Sequence, residues 1–237
     1  MEIASRPLPR DLAVKPESPM AQMSAVVLAA GQSRRMGKIN KLTAVVAGKP
    51  VIRHVVDTVL EAGFKDIVVV LGYDEQAVSA CLEGLPVRLV KNEAFRSGQA
   101  SSVSAGIAAL DNNVSDVMVV LGDMPLLNAA LLNNLHHHHM SNPQHEQMIS
   151  LPVCLKDRES QIGHPVIWGR QFFPDLQALT GDQGGRQIWS DHPAIINQMD
   201  VEDATLFLDT DTAEALRRAE VLLLCLLYTS DAADDRV

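Results

Sequence analysis

Glycine, arginine and serine follow the first apolar run of the chain, and their residue types suit phosphate binding. The run Ala25–Ala30 stops at a loop, Gly31–Gly37, that contains Ser33, Arg34 and Arg35. Glycine lets the backbone approach a ligand closely, and arginine offers forked donors that match phosphate oxygens. A buried strand that ends in such a loop predicts a phosphate-binding site.

Two acidic groups provide candidate ligands for a divalent cation. Asp123 follows the apolar run Asp116–Leu121 in a Gly-Asp-Met-Pro turn, and Asp209 and Asp211 lie together near the end of the chain. Magnesium in nucleotide sites takes one or two carboxylates together with phosphate oxygens and water. The sequence therefore predicts a Mg²⁺ site at Asp123, and the residue types leave open whether Asp209 or Asp211 completes it. Asp211 could instead cap the final helix.

The segments that must position these groups alternate between strands and helices. Short, continuous apolar runs predict buried strands, and glycine or proline punctuates the helices between them. Such strands need helices on both faces, so the predicted fold class is α/β, a single three-layer Rossmann-like domain with a mostly parallel sheet. Gly31, Gly72 and Gly122 each follow a predicted strand directly. Ligands of such sheets bind beyond the carboxyl ends of the strands, where these three loops should meet.

Several further segments carry structural expectations. The residue pattern predicts strands at Leu42–Val46, Gln147–Leu151 and Thr205–Leu208, and the last helix is expected from Asp211 to about Leu224. The polar segment between Met140 and Ile162 is predicted to be exposed. The run His136–His139 lies on a predicted helix, where adjacent side chains point in different directions and cannot all ligate one ion. The run is therefore interpreted as a solvated helix end.

Composition excludes several classes of protein. The chain has 237 residues and a formal net charge of −9, which argues against a general nucleic-acid surface. No apolar run approaches the roughly 18 residues that a membrane span needs. The cysteines, Cys81, Cys154 and Cys225, form no C-x-x-C pair, so a disulfide framework or zinc site is not expected. A reducing cytoplasm fits this pattern.

The first loop carries a resemblance to a known superfamily. Residues Leu28–Gly37 resemble the L-A-A-G-x-S-x-R-M-G signature of nucleotidyltransferases in the glycosyltransferase-A-like superfamily, and Lys41 stands where the superfamily has a lysine. Neither a G-x-x-x-x-G-K-[ST] loop nor a G-x-G-x-x-G fingerprint fits this stretch. The double alanine and the later motifs are most similar to the MobA-like molybdenum cofactor cytidylyltransferases.

The resemblance implies a set of site residues. It makes Lys41 and Arg35 the catalytic cations, and it favours Asp211 over Asp209 as the partner of Asp123 at the metal. The residues expected to bind the nucleotide are Leu28, Ala29, Ala30, Gly31, Ser33, Arg34, Gly37, Gly72, Gly98, Ser101 and Ser102.

A second group of motifs is expected near the second substrate. Gly163-His164-Pro165 matches a G-H-P motif, and the loop Gly181–Arg186 resembles G-D-x-G-A-R, with Gly185 in place of alanine. The residues expected at the second substrate are His164, Asp182, Gly184 and Arg186.

The resemblance also implies a reaction. The terminal phosphate of molybdopterin would attack the α-phosphorus of CTP with Mg²⁺ as cofactor, giving molybdopterin cytosine dinucleotide and pyrophosphate. A molybdenum hydroxylase is a candidate recipient of the product. The preference for CTP over GTP rests on Ala30, because guanylyl relatives tend to have glycine there. The alternatives are transfer from GTP or to another phosphorylated substrate, and a non-catalytic maturation factor that binds molybdenum cofactor for a hydroxylase.

The predicted domain boundaries leave both ends outside the fold. Residues 1–22 are polar and lack the apolar segment of a secretory signal, so they are predicted to be a disordered extension or an over-long start. Residues 23–224 are the predicted nucleotidyltransferase domain. Residues 225–237 resemble the translation of a sequencing adapter and are predicted to be non-native.

Overall fold

The computed structural model of the chain describes residues 23–36, 40–156, 159–182, 185–190 and 193–234. The strands are β1 (Ser24–Ala29), β2 (Val45–Val46), β3 (Lys49–Pro50), β4 (Ile67–Leu71), β5 (Arg88–Lys91), β6 (Asp116–Leu121), β7 (Ile149–Lys156), β8 (Glu159–Ile162), β9 (Val166–Gly169) and β10 (Ile196–Asp200). The α-helices are α1 (Val51–Glu61), α2 (Glu75–Cys81), α3 (Gln99–Ala108), α4 (Ala129–Met140), α5 (Phe173–Ala178), α6 (Arg186–Ser190) and α7 (Ala213–Asp234).

One large sheet organises the domain in the order β10-β7-β9-β6-β1-β4-β5, and β8 pairs with β7. The strand β1 lies at the centre of its parallel part, where Val27 faces Val69 of β4 and Val120 of β6. The strand β9 runs antiparallel to β6 and to β7. The predicted α/β fold with a mostly parallel sheet is confirmed, and it brings the carboxyl ends of β1, β4 and β6 to one edge.

Helices cover both faces of the sheet because the central strands are apolar on both sides. Alternate residues of β1, such as Val27, belong to a core shared with Val55 of α1 and Leu132 of α4. The intervening residues, such as Val26, belong to a second core with Val103 of α3. These two cores give the three layers that the sequence predicts.

Two of the predicted strands are wrong. In the segment Leu42–Val46 only β2 is extended, and a turn precedes it because the Asn40 side chain accepts a hydrogen bond from the Leu42 N–H at 3.0 Å. The segment Thr205–Leu208 lies largely in a 3₁₀ helix, Ala204–Phe207. The Asp203 side chain starts this helix by accepting a hydrogen bond from the Thr205 N–H at 2.9 Å. In both cases a side chain bonds the backbone locally and competes with strand formation.

The segment between Met140 and Ile162 is not the exposed insertion that its polarity predicts. It contains β7, whose alternate residues Ile149, Leu151 and Val153 are buried in the second core. Ser150, between the first two of these, is buried as well. The strand predicted at Gln147–Leu151 is therefore confirmed as part of β7, which continues to Lys156 inside the sheet.

The interpretation of the histidine run as a solvated helix end is also wrong. His136 and His139 are buried in α4, with exposed fractions of 6% and 0%. They follow Leu132 by one and two helical turns and therefore lie on the buried face of the helix.

The structure describes only part of the two predicted terminal segments. Residues 1–22 and 235–237 lie beyond the described residues. The helix α7 continues past Leu224, its predicted end, to Asp234. Within the described residues, no helix combines the length and the apolar composition that crossing a membrane requires.

Candidate functional site

A cleft of about 420 Å³ opens at the edge where β1 and β6 end. Its walls come from the loop after β1, the segment before α3 and the acidic segments after β6 and before α7. The predicted site residues that line it are Leu28, Ala30, Gly31, Ser33, Arg35, Lys41, Gly98, Ser102, Asp123, Asp182 and Asp211. Motifs from distant parts of the sequence therefore converge on one cavity.

Lys41 lies at the acidic end of this cleft. Its ammonium contacts both the Asp123 and the Asp211 carboxylates, and its side chain is only 11% exposed. Although burial alone would lower the pKa of Lys41, the two carboxylates raise it above its usual value. Arg35 Nη1 lies 3.2 Å from the other oxygen of Asp211. Lys41 is therefore held in its charged form between two acids that the sequence separates widely.

Local hydrogen bonds hold these groups in place. The Ser33 hydroxyl accepts a hydrogen bond from the Lys41 N–H at 3.1 Å, which joins the loop after β1 to the lysine. Thr210 donates to the Asp123 carbonyl from its N–H at 3.0 Å and from its hydroxyl at 3.1 Å. The loop that carries Asp211 is thereby fixed against the loop that carries Asp123.

The acidic end of the cleft suits a divalent cation. Asp123 and Asp211 converge on a single ammonium, so their oxygens already surround one cationic position. Asp209 lines the same cleft, and burial, with the nearby Asp211 and Asp123 charges, raises its pKa above the usual value. This end carries more negative charge than Lys41 and Arg35 can balance, and carboxylate oxygens are the ligands that Mg²⁺ prefers.

The turn before α3 forms the opposite wall of the cleft. Gly98 has φ +117°, and an added Cβ there would lie 2.4 Å from the Gly181 carbonyl oxygen. The Ala100 N–H donates to that same carbonyl at 3.1 Å. Glycine at position 98 thus lets the segment that carries Asp182 lie directly against the turn.

A second cavity, of about 520 Å³, adjoins the cleft and shares Leu28 and Gln99 with it. Its walls include His164, Arg186 and the indole rings of Trp168 and Trp189. These rings stack with centroids 5.7 Å apart and planes inclined by 20°. The predicted second-substrate residues His164 and Arg186 therefore lie in a separate cavity, whereas Asp182 lines the cleft.

His164 and Gly185 show how this second cavity is built. Burial lowers the pKa of His164 below its usual value, although Asp123 and the Val119 backbone act in the opposite direction. The imidazole Nδ1 is buried without a hydrogen-bond partner among the described residues. At Gly185 an added Cβ would lie 2.2 Å from the Trp168 ring. The indole therefore explains why glycine replaces the alanine of the matching motif.

Several predicted nucleotide-binding residues do not line the cleft. Ala29 is fully buried and belongs to the first core. Gly72 lies against Ala30 and Phe95, whose Cβ atoms would be 2.7 Å from an added Cβ. Glycine at this position therefore allows close packing behind the cleft. The Ser101 hydroxyl donates to the Gly98 carbonyl at 2.8 Å and accepts from Asn92.

Three predicted residues remain: Arg34, Gly37 and Gly184. Arg34 begins the 3₁₀ turn Arg34–Met36, and Gly37 and Gly184 lie outside the described residues.

Sequence reasoning missed Phe95, Arg96 and Gln99 as cleft residues. The Arg96 guanidinium lies over the Phe95 ring at 5.6 Å from its centroid. All three flank Gly98, so the segment that contains the predicted glycine was the available signal. Of the three, Gln99 alone borders both cavities.

Comparison with known proteins assigns the fold and the cleft to a family. Residues 25–196 match the MobA-like NTP transferase domain. The chain belongs to this family. It is a nucleotidyltransferase whose matched region contains Lys41 and Asp123 as well as the glycines of the cleft.

Two curated proteins resemble this MobA-like NTP transferase over different extents. Nicotine blue oxidoreductase of Paenarthrobacter nicotinovorans is 29% identical over 197 residues, which are 83% of this chain and 95% of that protein. The bifunctional protein GlmU of Staphylococcus saprophyticus is 34% identical over 184 residues, which are 77% of this chain and 36% of GlmU. The chain thus spans only about a third of the GlmU length.

Solved structures show the same fold. Rv0371c of Mycobacterium tuberculosis H37Rv is 26% identical, with a TM-score of 0.71 over 85% of this chain and 98% of that chain. A second structure of Rv0371c is a complex with manganese, at 25% identity and a TM-score of 0.66, covering 84% of this chain and 98% of that chain. A divalent metal is therefore found with a protein of this fold.

Proposed function

We propose that this MobA-like NTP transferase transfers a cytidylyl group from CTP to the terminal phosphate of molybdopterin, releasing pyrophosphate. The observation that carries the proposal is the position of Lys41, whose ammonium contacts Asp123 and Asp211 in a cleft that borders a second cavity. A nucleotide in the cleft and an acceptor in the second cavity would meet at Leu28 and Gln99. This arrangement suits a two-substrate transfer.

The residues of the cleft supply charge and position. Lys41 and Arg35 would neutralise the triphosphate and the leaving pyrophosphate, which is the main demand of phosphoryl-type transfer. A phosphate nucleophile is already ionised at neutral pH, so the reaction needs in-line positioning more than a general base. A Mg²⁺ ion held by Asp123 and Asp211 would supply further charge stabilisation at the phosphates.

The second cavity supports an acceptor with a flat ring and an anionic group. Trp168 and Trp189 line this cavity, and their indole rings give it apolar surface beside which a fused ring system could pack. Arg186 lies on the same cavity and can pair with a phosphate. The buried Nδ1 of His164, which has no hydrogen-bond partner among the described residues, gives a polar contact for a heteroatom of the acceptor. Molybdopterin combines these chemical features.

The nucleotide base is assigned through Ala30. This residue lines the cleft and is 4% exposed, packed beside Gly72 and Tyr73. The choice of CTP rests on the alanine that guanylyl relatives tend to replace with glycine. The product dinucleotide would be received by a molybdenum hydroxylase.

The test is pyrophosphate release by the full chain with molybdopterin and Mg²⁺, supplied with CTP or GTP. Release with CTP alone supports the proposal, whereas release with GTP alone overturns the base assignment. Lys41→Ala should lower the rate by about 10²–10³-fold, as expected for loss of an electrostatic contact to the reacting phosphates. Lys49→Ala is the matched control, because Lys49 is half-exposed and pairs with Asp57 instead.

Two other functions, a reductase and a cofactor carrier, can be distinguished by further measurements on the same protein. The likeness to nicotine blue oxidoreductase, together with the indole-lined cavity, makes a reductase the second candidate. Oxidation of a reduced nicotinamide without pyrophosphate release would favour it. A cofactor carrier would bind molybdopterin without turnover, and Asp123→Asn would leave that binding intact.

A further inference from the structure

A cluster of two histidines and one aspartate lies at the opposite edge of the sheet from the cleft. Asp116 begins β6, whereas Asp123 lies beyond its end, so a rise of about 3.3 Å per residue separates the two by roughly 20 Å. His139 comes from the last turn of α4, and His145 begins the 3₁₀ helix that precedes β7. The cluster thus joins three segments and has no part in the proposed transfer.

The side-chain atoms of this cluster converge. His139 Nε2 lies 2.9 Å from Asp116 Oδ1, and His145 Nδ1 lies 3.0 Å from Asp116 Oδ2. One ligand atom from each residue lies within 4.8 Å of the other two. Ligands at tetrahedral Zn²⁺ bond at about 2.0–2.1 Å and therefore lie roughly 3.3 Å from one another. A small cation could enter with minor shifts of the three side chains.

The surrounding hydrogen bonds orient these groups as a metal site requires. Ser150 Oγ lies 2.7 Å from His139 Nδ1, so an N–H on that nitrogen can donate to the hydroxyl and leave Nε2 free to ligate. The Ser115 hydroxyl donates to Asp116 Oδ2 at 2.6 Å. Partners that fix a ligating imidazole and carboxylate in this way are a regular feature of protein metal centres.

The exposure of the three side chains favours a bound cation and leaves it a route from solvent. The side chains of Asp116 and His139 are 1% and 0% exposed, whereas that of His145 is 21% exposed. A buried carboxylate is costly without a positive partner. The exposed side of His145 leaves room for water at a fourth position, and the mixed nitrogen and oxygen ligands favour a transition metal over Mg²⁺ or Ca²⁺.

We infer that Asp116, His139 and His145 form a binding site for a divalent transition metal of the zinc class, separate from the nucleotide cleft. The ion would fasten the end of α4 and the His145 segment to the first residue of β6. Its role is to stabilise the fold at that edge of the sheet.

The test uses the chelator-treated full chain and measures thermal unfolding with and without Zn²⁺, together with the absorption of added Co²⁺. We expect one equivalent of Co²⁺ to give a tetrahedral visible spectrum. Zn²⁺ at a hundredfold excess over its dissociation constant should raise the melting temperature by roughly 5–10 °C.

Three variants make the test specific. His145→Gln keeps an amide that can bond Asp116 but removes the imidazole ligand. It should fold without metal, lose the tetrahedral Co²⁺ spectrum, and keep only the part of the Zn²⁺ stabilisation that the cleft carboxylates supply. His137→Ala removes an exposed histidine of the same run and should keep both responses. Asp123→Asn should also keep both, because its carboxylate belongs to the cleft.

The inference fails if the folded chain gives neither response, because the cluster is then a hydrogen-bonded triad of Asp116 and two histidines. It fails equally if His145→Gln binds Co²⁺ and is stabilised by Zn²⁺ like the parent. Neither result would bear on pyrophosphate release, so the proposed function is tested separately.

Discussion

The ammonium of Lys41 contacts the Asp123 carboxylate across 82 positions of sequence. The same ammonium contacts Asp211, so one lysine occupies the position at which two carboxylates converge. A divalent cation bound by those carboxylates would compete with Lys41 for the same oxygens. Metal binding would therefore free the lysine to approach a phosphate.

The first prediction concerns Lys41→Gln, which removes the competing charge but keeps a polar side chain of similar length. Mn²⁺ or Mg²⁺ should bind more tightly by roughly tenfold, the equivalent of about 1.4 kcal/mol of relieved competition. Pyrophosphate release should fall at the same time, because the phosphates lose a cation. Calorimetric titration with metal and a turnover assay measure the two effects. Metal binding that is unchanged or weaker would contradict the competition, and Lys49→Gln should change neither quantity.

The second prediction tests the contact between Gly185 and Trp168. Gly185→Ala should lower the free energy of unfolding by about 1–3 kcal/mol, because the new methyl meets the indole ring at 2.2 Å. Trp168→Leu should remove this penalty, so the double variant should be more stable than the sum of the single changes implies. Urea unfolding of the four proteins measures the coupling. Strict additivity would mean that the indole does not determine the residue at position 185.

The third prediction compares two glycines with positive φ. Gly98 has φ +117° and Gly84 has φ +80°, but only Gly98 has atoms within 4 Å of an added Cβ. Each change to alanine should lower stability by about 1–2 kcal/mol through backbone strain. Only Gly98→Ala should also raise the KM for the nucleotide, because it pushes the Gly181 segment away from the cleft. Equal KM values in both variants would show that this contact does not shape the site.

The central strands could be predicted because nearly every residue in them is apolar. The runs that became β4 and β6 are buried on both faces of the sheet, so periodicity and composition agree there. The strand β7 was predicted only in part, over Gln147–Leu151, because Ser150 and Pro152 interrupt the apolar pattern of Ile149–Lys156. The hydrogen bond between Ser150 and His139 satisfies that polarity, and it depends on a helix that lies elsewhere in the sequence.

The candidate site was predictable in its motifs but not in its contacts. Glycine loops that follow strands indicate the edge of the sheet, which is why Gly31 and Asp123 were expected at one edge, and both residues line the same cleft. Whether a lysine faces a phosphate or two carboxylates depends on long-range packing. The burial of His139 could have been anticipated, because Leu132, Leu135 and His139 share one face of a helix. Its partner Asp116 could not, since nothing local links the two.

The last prediction concerns the pH dependence of stability through His164. Burial lowers the pKa of this imidazole in the folded chain, whereas in the unfolded chain it returns to about 6.5. The unfolded state therefore binds more protons below that value, and stability must fall as pH falls from about 6.5 towards the folded pKa. The largest slope from one such group is about 1.4 kcal/mol per pH unit.

His164→Gln removes the titrating group, so its free energy of unfolding should depend less on pH in this range than that of the parent. Urea unfolding at a series of pH values between about 7 and 5 gives the free energy of unfolding of both proteins. The free energy of the parent should fall relative to that of His164→Gln as the solution becomes more acidic. His137→Gln, in which His164 is intact, should follow the slope of the parent. Parallel curves for the parent and His164→Gln would mean that the pKa of His164 is not lowered in the folded chain.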